Sequence, residues 1–208
     1  MRKTAIILDL DNTIYPVSSI GETLFKSLFE AILESGEYTG DFNEIKAEIM
    51  RRPFQFVADD FKFSKLLKEQ GTAMLAETTY EGEMKPFDDY IYFKKIHCRK
   101  FLVTTGFIKM QQSKIRQLGI RHDFEDIIII DLLGSASTKT DIFRNLLVEK
   151  QLKPEEVLVV GDDLNSEIRA SRELGIDSVL YDYARMHSQI QNQPVISDYS
   201  ELKAFMKQ

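Results

Sequence analysis

From Phe101 onward the chain alternates short, wholly apolar runs with segments of helical period. The runs are Phe101-Leu102-Val103, Ile127 to Ile130, Val157 to Val160, Val179-Leu180 and Val195-Ile196. A strand without polar alternation has to be covered on both faces, so the pattern calls for a parallel sheet flanked by helices. The helical segments between them run to Leu118, from about Lys139 to Lys150, and to Leu174, with a last helix expected near Leu202. Gly119 and Gly175 close the first and third of these, and Pro154 lies beyond the second. An additional strand is expected at the start, over about Lys3 to Leu8. The expected fold is α/β: a Rossmann-like parallel sheet covered by helices on both faces.

One stretch breaks this rhythm. Tyr15-Pro16-Val17-Ser18-Ser19 reads as a turn-like hinge, and from Ile20 to about Thr79 the pattern is helical throughout. Leu24, Leu28, Ala31 and Ile32 make one apolar stripe; Phe42, Ile45 and Ile49 make another. Pro53 is expected to stop the second helix, and a third run contains Leu66, Leu67, Met74 and Leu75. Phe54, Phe56, Phe61 and Phe63 are expected to form the small core of this unit. Residues 1–14 and 85–208 are therefore assigned to the α/β core, and 15–84 to a helical unit inserted after the first strand.

Composition removes several function classes. At 208 residues, with 43% hydrophobic and 29% charged, the chain can bury a full core and is not disordered in character. A formal charge of −6 and a pI near 5.2 argue against nucleic acid as a partner. The single cysteine, Cys98, rules out an internal disulfide, and its neighbour His97 does not make it a nucleophile. No run approaches the length of a membrane span, and the first apolar run is too short for a signal-peptide core. A cytoplasmic protein with no membrane partner is expected. The three histidines, His97, His122 and His187, are scattered and lack the spacing of a zinc site.

In open parallel sheets, ligands bind outside the carboxyl ends of the strands, and that is where the polar motifs fall. Asp9 and Asp11 end the first run. Two residues apart on a strand, they project the same way. At about 4 Å and an effective dielectric near 20, their mutual repulsion is about 4 kcal/mol, which a metal, a lysine or a proton must offset. By itself the pair reads equally well as a strand running out into a polar loop. Thr104 and Thr105 end the next run, before Gly106, and Gly161-Asp162-Asp163 end a third. Thr138-x-x-Asp141 has the form of a capping box, which puts Lys139 in the first helical turn. A cation there opposes the helix dipole by roughly 0.3–1 kcal/mol, so a negative partner at the strand ends explains it better than local stability does. Carboxylates converging in this way make a hard, oxygen-rich site suited to magnesium.

Together these motifs resemble the haloacid dehalogenase-like hydrolase superfamily, especially its phosphatases with a helical cap after the first motif. Asp9-x-Asp11-x-Thr13 matches the first motif, Thr104 the second, Lys139 the third and Gly161-Asp162 the fourth. The resemblance implies a sheet ordered 5-4-1-2-3, Mg2+ as cofactor and a small phosphoester as substrate. It implies that Asp9 is the nucleophile that becomes an aspartyl phosphate, and Asp11 the general acid and base. The metal is then held by the Asp9 and Asp162 carboxylates and the Asp11 carbonyl. Thr104, with Thr105 and Gly106, is expected to meet the phosphoryl group, and Lys139 to neutralise it. To serve at neutral pH, Asp11 needs a raised pKa, which neighbouring carboxylates are expected to provide. Two departures stand out. Thr140 replaces a frequent proline, and either Asp163 or Glu167 must complete the outer metal shell. A nucleoside monophosphate or a sugar phosphate is a candidate substrate. A sugar phosphomutase would share every motif, and a non-enzymatic phospho-accepting switch would share the acids, threonine, lysine and magnesium. The helical insert and the Asp-x-Asp spacing argue against the switch. Arg51, Arg52 and Lys62 could meet a second anionic group on a substrate, but the preferred reading is that they solvate a helical surface.

Overall fold

The computed structural model describes residues 2–134, 137–187 and 190–207. Its strands are β1 Ala5–Leu8, β2 Arg99–Gly106, β3 Asp126–Asp131, β4 Val157–Gly161, β5 Asp177–Tyr181 and β6 Val195–Ile196. They form one six-stranded sheet in the order β3-β2-β1-β4-β5-β6, and every pairing is parallel. The expected order 5-4-1-2-3 is present, with β6 added at one edge. β1 is central, with Leu8 opposite Leu102 on one side and Val160 on the other. That position explains its lack of polar alternation, since all of β1 and β4 is buried. β3 differs from the buried strand expected. It is the other edge strand, and of its residues only Ile130 is fully buried.

Strand alternation splits the core into two layers. Ile6, Leu8, Leu102, Leu158 and Val160 face one cluster, while Ala5, Ile7, Phe101, Val103 and Val159 face the other. The second layer is covered by α8 (Lys139–Glu149) and α9 (Glu167–Glu173), through Phe143, Leu146 and Ala170. The first is covered by α7 (Ile108–Leu118) and continues into the inserted helices. Gly119 takes the left-handed conformation that ends α7 (φ 65°). Both halves of the capping box that begins α8 are formed, the Thr138 hydroxyl accepting from Asp141 N and the Asp141 carboxylate accepting from Thr138 N.

Between β1 and β2 the chain is a series of short helices rather than continuous helix. They are α1 Gly21–Leu24, α2 Lys26–Ser35, α3 Phe42–Ile49, α4 Phe54–Asp60 and α5 Lys65–Glu77, before α6 Tyr90–Lys94 in the return to the sheet. Asp41 and Ser64 cap α3 and α5. Pro53 does not stop α3, which ends earlier at Ile49; it sits at the N-cap of α4, where a fixed φ and a missing N–H cost nothing. Leu24, Leu28, Ile32, Ile45, Ile49, Phe54, Phe63, Leu67 and Leu75 are buried as expected, but Phe56 and Leu66 point to solvent, each 59% exposed. Both sit on the outer faces of their helices, where no second layer among the described residues covers them. Near the C-terminus a 3-10 turn, Tyr199–Ala204, takes the place of the last helix. The buried Tyr199 hydroxyl donates to the Thr13 carbonyl at 2.6 Å, tying the end of the chain to the loop after β1. No helix among the described residues is long and apolar enough to cross a membrane.

Candidate active site

The carboxyl edge of the sheet gathers the acidic and basic motifs. β1 ends at Leu8, yet Asp9 N still donates to Val160 O at 3.1 Å, so Asp9 is held by the sheet. Its buried carboxylate accepts from Lys139 Nζ at 2.6 Å. The same ammonium donates to Glu167 Oε2 at 2.6 Å, and Glu167 Oε1 accepts from Asp163 N at 2.7 Å. Lys139 reaches these acids because the capping box starts α8 one residue before it. Glu167 is 2% exposed and lies against Gly161, where any Cβ would stand 2.3 Å from its side chain. Asp162 joins them, accepting from the Thr13 hydroxyl at 3.4 Å. Asp9, Asp162 and Glu167 each offer an oxygen within 4.8 Å of the others. Of the two residues left open as the extra acid, Glu167 is in this cluster. The Asp163 side chain instead accepts from Asn165 N in the following turn.

Three carboxylates facing one ammonium make an electrostatic imbalance. Burial pushes the Asp9 carboxyl up to about 7; Lys139 pulls it down and Glu167 pushes it further up. Burial, with Glu167 and Asp9 beside it, also holds Asp162 well above the usual carboxylate range. Burial alone would make Lys139 less basic, but Asp9 and Glu167 more than reverse this and raise it. A small cation at these oxygens would relieve the surplus negative charge. Because the donor set is all oxygen, the residues fit a hard divalent ion such as magnesium rather than zinc.

Asp11 does not follow the expectation. With β1 finished at Leu8 and Asn12 turned to φ 54°, strand alternation no longer governs where its side chain goes. Its Oδ1 accepts from the Tyr15 hydroxyl at 2.5 Å and Lys114 Nζ at 2.8 Å, and its Oδ2 from Gln111 Nε2 at 2.9 Å. Burial would raise its pKa, but the Lys114 charge and hydrogen bonds from Lys114, Tyr15 and Gln111 outweigh it and lower the pKa. The raised pKa expected from neighbouring carboxylates is therefore corrected: its close partners are donors. Gln111 Nε2 also donates to Thr104 Oγ1 at 2.7 Å, linking Asp11 to the end of β2. Gly106 makes this possible, because a Cβ there would meet the Gln111 side chain at 2.9 Å.

Tyr15, Gln111 and Lys114 were not singled out by the motifs. A signal did exist on α7, whose buried face carries Met110, Ile115 and Leu118 but also Gln111 and Lys114. A lysine and a glutamine three residues apart inside an apolar stripe need buried partners.

A cavity of about 130 Å3 opens over Asp9, and Asp11, Thr104, Thr105, Gly106, Lys139, Asp162, Asp163 and Glu167 all border it. The inserted helices roof it with Phe25, Ile49, Met50, Phe54 and Leu75. Arg51 and Arg52 stand at its border, and each is ion-paired to Glu48. Lys62 does not line it. The histidines are elsewhere, His97 and His122 exposed and His187 partly so.

The chain has relatives among known proteins. The model for the haloacid dehalogenase-like hydrolase family matches residues 3–175. A glyceraldehyde 3-phosphate phosphatase from Methanopyrus kandleri is 27% identical over 195 residues, covering 84% of this chain and 82% of that protein. The glyceraldehyde 3-phosphate phosphatase of Pyrococcus furiosus is 26% identical over 204 residues, covering 89% of this chain and 83% of that protein. A haloacid dehalogenase-like family protein from Streptococcus pneumoniae has the same fold, with a TM-score of 0.74 at 20% identity over 99% of both chains.

Proposed function

Because the chain belongs to the haloacid dehalogenase-like hydrolase family, and the relatives matched along its length are phosphatases, we propose that it is a magnesium-dependent phosphomonoesterase working through Asp9. The observation that carries this reading is the buried Lys139 ammonium, shared at 2.6 Å between Asp9 and Glu167 at the end of the central strand. A carboxylate attacks a phosphate dianion only where positive charge screens both.

Asp9 attacks phosphorus, an acyl-phosphate bond forms, and the bond from phosphorus to the leaving oxygen breaks. Asp11 gives its proton to that oxygen. In the second step Asp11 takes a proton from water as the water attacks the acyl phosphate, and inorganic phosphate leaves. Its ionised form, favoured by Lys114, Tyr15 and Gln111, is the one the second step needs. A phosphate dianion arriving beside it raises its affinity for the proton used in the first. Thr104, Thr105 and Gly106 receive the phosphoryl oxygens, and Lys139 balances their charge. The cation would be held by the Asp9 and Asp162 carboxylates and the Asp11 carbonyl, with Glu167 behind them. When bound, it supplies the Lewis acidity that polarises the phosphoryl group.

Helices within 15–84 act as a cap that excludes water and selects substrate. A cavity of about 130 Å3 has the volume of roughly four waters at about 30 Å3 each, which suits a small leaving alcohol better than a nucleoside. The names of the relatives make a triose phosphate the first compound to assay. The test is phosphate release with Mg2+ by the parent and by Asp9→Asn, together with acid-quench trapping of a hydroxylamine-labile phosphoenzyme. Loss of turnover and of the labelled enzyme in Asp9→Asn is expected. Parental turnover in that variant would end this reading.

A further inference from the structure

Both oxygens of Asp11 are anchored by side chains from outside the first motif. Oδ1 is held by Tyr15 and Lys114, and Oδ2 by Gln111, whose amide nitrogen also holds the Thr104 hydroxyl. Lys114 is 3% exposed and Gln111 1%, so neither is there to solvate a surface. Burying a lysine and a glutamine in the apolar face of α7 is unfavourable without a purpose.

The orientation of Gln111 is informative. Its Nε2 serves two acceptors, while its buried Oε1 finds no hydrogen-bond partner among the described residues. A buried acceptor without a partner is costly, and such groups in a native fold call for an explanation. Turning the amide over would aim the oxygen at the Asp11 carboxylate, where two acceptors repel each other. The unpaired Oε1 is thus the consequence of keeping the nitrogen between Asp11 and Thr104.

We propose that Gln111, Lys114 and Tyr15 are positioning residues that fix the Asp11 carboxyl relative to the phosphoryl group held at Thr104, setting which oxygen meets the leaving group. This rests on the roles given above to Asp9 and Asp11. Gln111 contributes the link, since one amide nitrogen fixes the distance between the proton carrier and the phosphoryl-binding hydroxyl. Lys114 and Tyr15 contribute direction, since they occupy Oδ1 from the side of α7 and the hinge. The three act through Asp11 and touch no reacting atom.

A purely structural role and a positioning role differ in how they depend on the leaving group. An alkyl phosphate leaves as a strongly basic alkoxide and needs Asp11's proton in place. 4-Nitrophenyl phosphate leaves as a stable phenolate and does not. The quantity to compare is kcat/KM, which ends at departure of the leaving group and ignores hydrolysis of the acyl phosphate. Gln111→Met keeps the length and volume of the side chain but removes both donated bonds. Misplacing a reacting group by about 1 Å costs on the order of 10²-fold. Gln111→Met is therefore expected to lower kcat/KM on a triose or other alkyl phosphate about 10²-fold, and on 4-nitrophenyl phosphate at least tenfold less. Tyr15→Phe, which deletes one oxygen from a buried ring, gives the same split on a smaller scale and carries the test if Gln111→Met does not fold. An equal loss on both substrates, or no loss on either, overturns the proposal. Asp9→Asn run alongside separates the two readings. If it still turns over, the nucleophile assignment has failed. If it is dead and the split is absent, only the positioning role has failed.

Discussion

Gly161→Ala tests whether the buried acid cluster is held as tightly as its geometry implies. Gly161 ends β4 and has no left-handed backbone angle, so an alanine meets no conformational penalty there. The obstacle is steric: its Cβ would lie 2.3 Å from Glu167 Cγ and Oε1 and 2.5 Å from Cδ. A glutamate end group can usually swing aside at little cost. This one is pinned at both oxygens, by Lys139 Nζ at 2.6 Å and Asp163 N at 2.7 Å. Hydrogen bonds to charged groups contribute about 1.5–3 kcal/mol each. Displacing Glu167 breaks one or both, so a loss of about 3 kcal/mol is expected, read by urea denaturation at neutral pH without metal. The background variant Glu167→Ala removes the clash. There, Gly161→Ala is expected to cost under about 1 kcal/mol, leaving a coupling of about 2 kcal/mol between the sites, within the range for residues in contact. Equal costs in the two backgrounds would refute the claim that Glu167 is locked against Gly161.

Other consequences follow from the same site. Asp11→Asn is expected to lower kcat on an alkyl phosphate by about 10²–10⁴-fold, the usual contribution of a positioned proton carrier; a loss under tenfold would remove Asp11 from that role. In metal-free protein, the folded Asp9 carboxyl is raised from 3.8 to about 7 by burial. The folded state then binds more protons than the unfolded one, so stability falls as pH rises from about 4 to 7. Thermal melts in chelator across that window should show the fall, and Mg2+ should reverse it at neutral pH; a melting temperature that rises with pH there would contradict the burial argument. Removing divalent ions should abolish phosphate release and Mg2+ should restore it, in a titration followed by released phosphate. Tyr199→Phe leaves the Thr13 carbonyl without its 2.6 Å donor, an expected loss of about 1–3 kcal/mol by denaturant melt; an unchanged midpoint would show that the bond is not structural.

Local chemistry made much of this molecule readable along the chain. The wholly apolar runs dictated a parallel sheet because a two-sided strand tolerates no polar residue, and β1 and β4 are buried accordingly. Gly119 and the Thr138–Asp141 box fixed the end of α7 and the start of α8 because caps are settled by a few adjacent residues. Lys139 stood out because its sign was wrong for its place on the helix. What misled was whatever depended on distant neighbours. Phe56 and Leu66 have the same apolar chemistry as the core residues beside them, and only the lack of a covering layer exposes them.

Sequence alone determined which acids follow the strands and which lysine begins a helix, and so which of them share the carboxyl edge, since parallel strands present their carboxyl ends on one side. Only tertiary structure decided how they pair. Glu167 rather than Asp163 joined the cluster because β4 and α9 bring its side chain across Gly161. Asp11 was given donors rather than carboxylates for company because α7 delivers Gln111 and Lys114 from about a hundred residues away. Electrostatic environment is set by whatever lies within a few ångströms, and that neighbourhood exists only after the chain has folded.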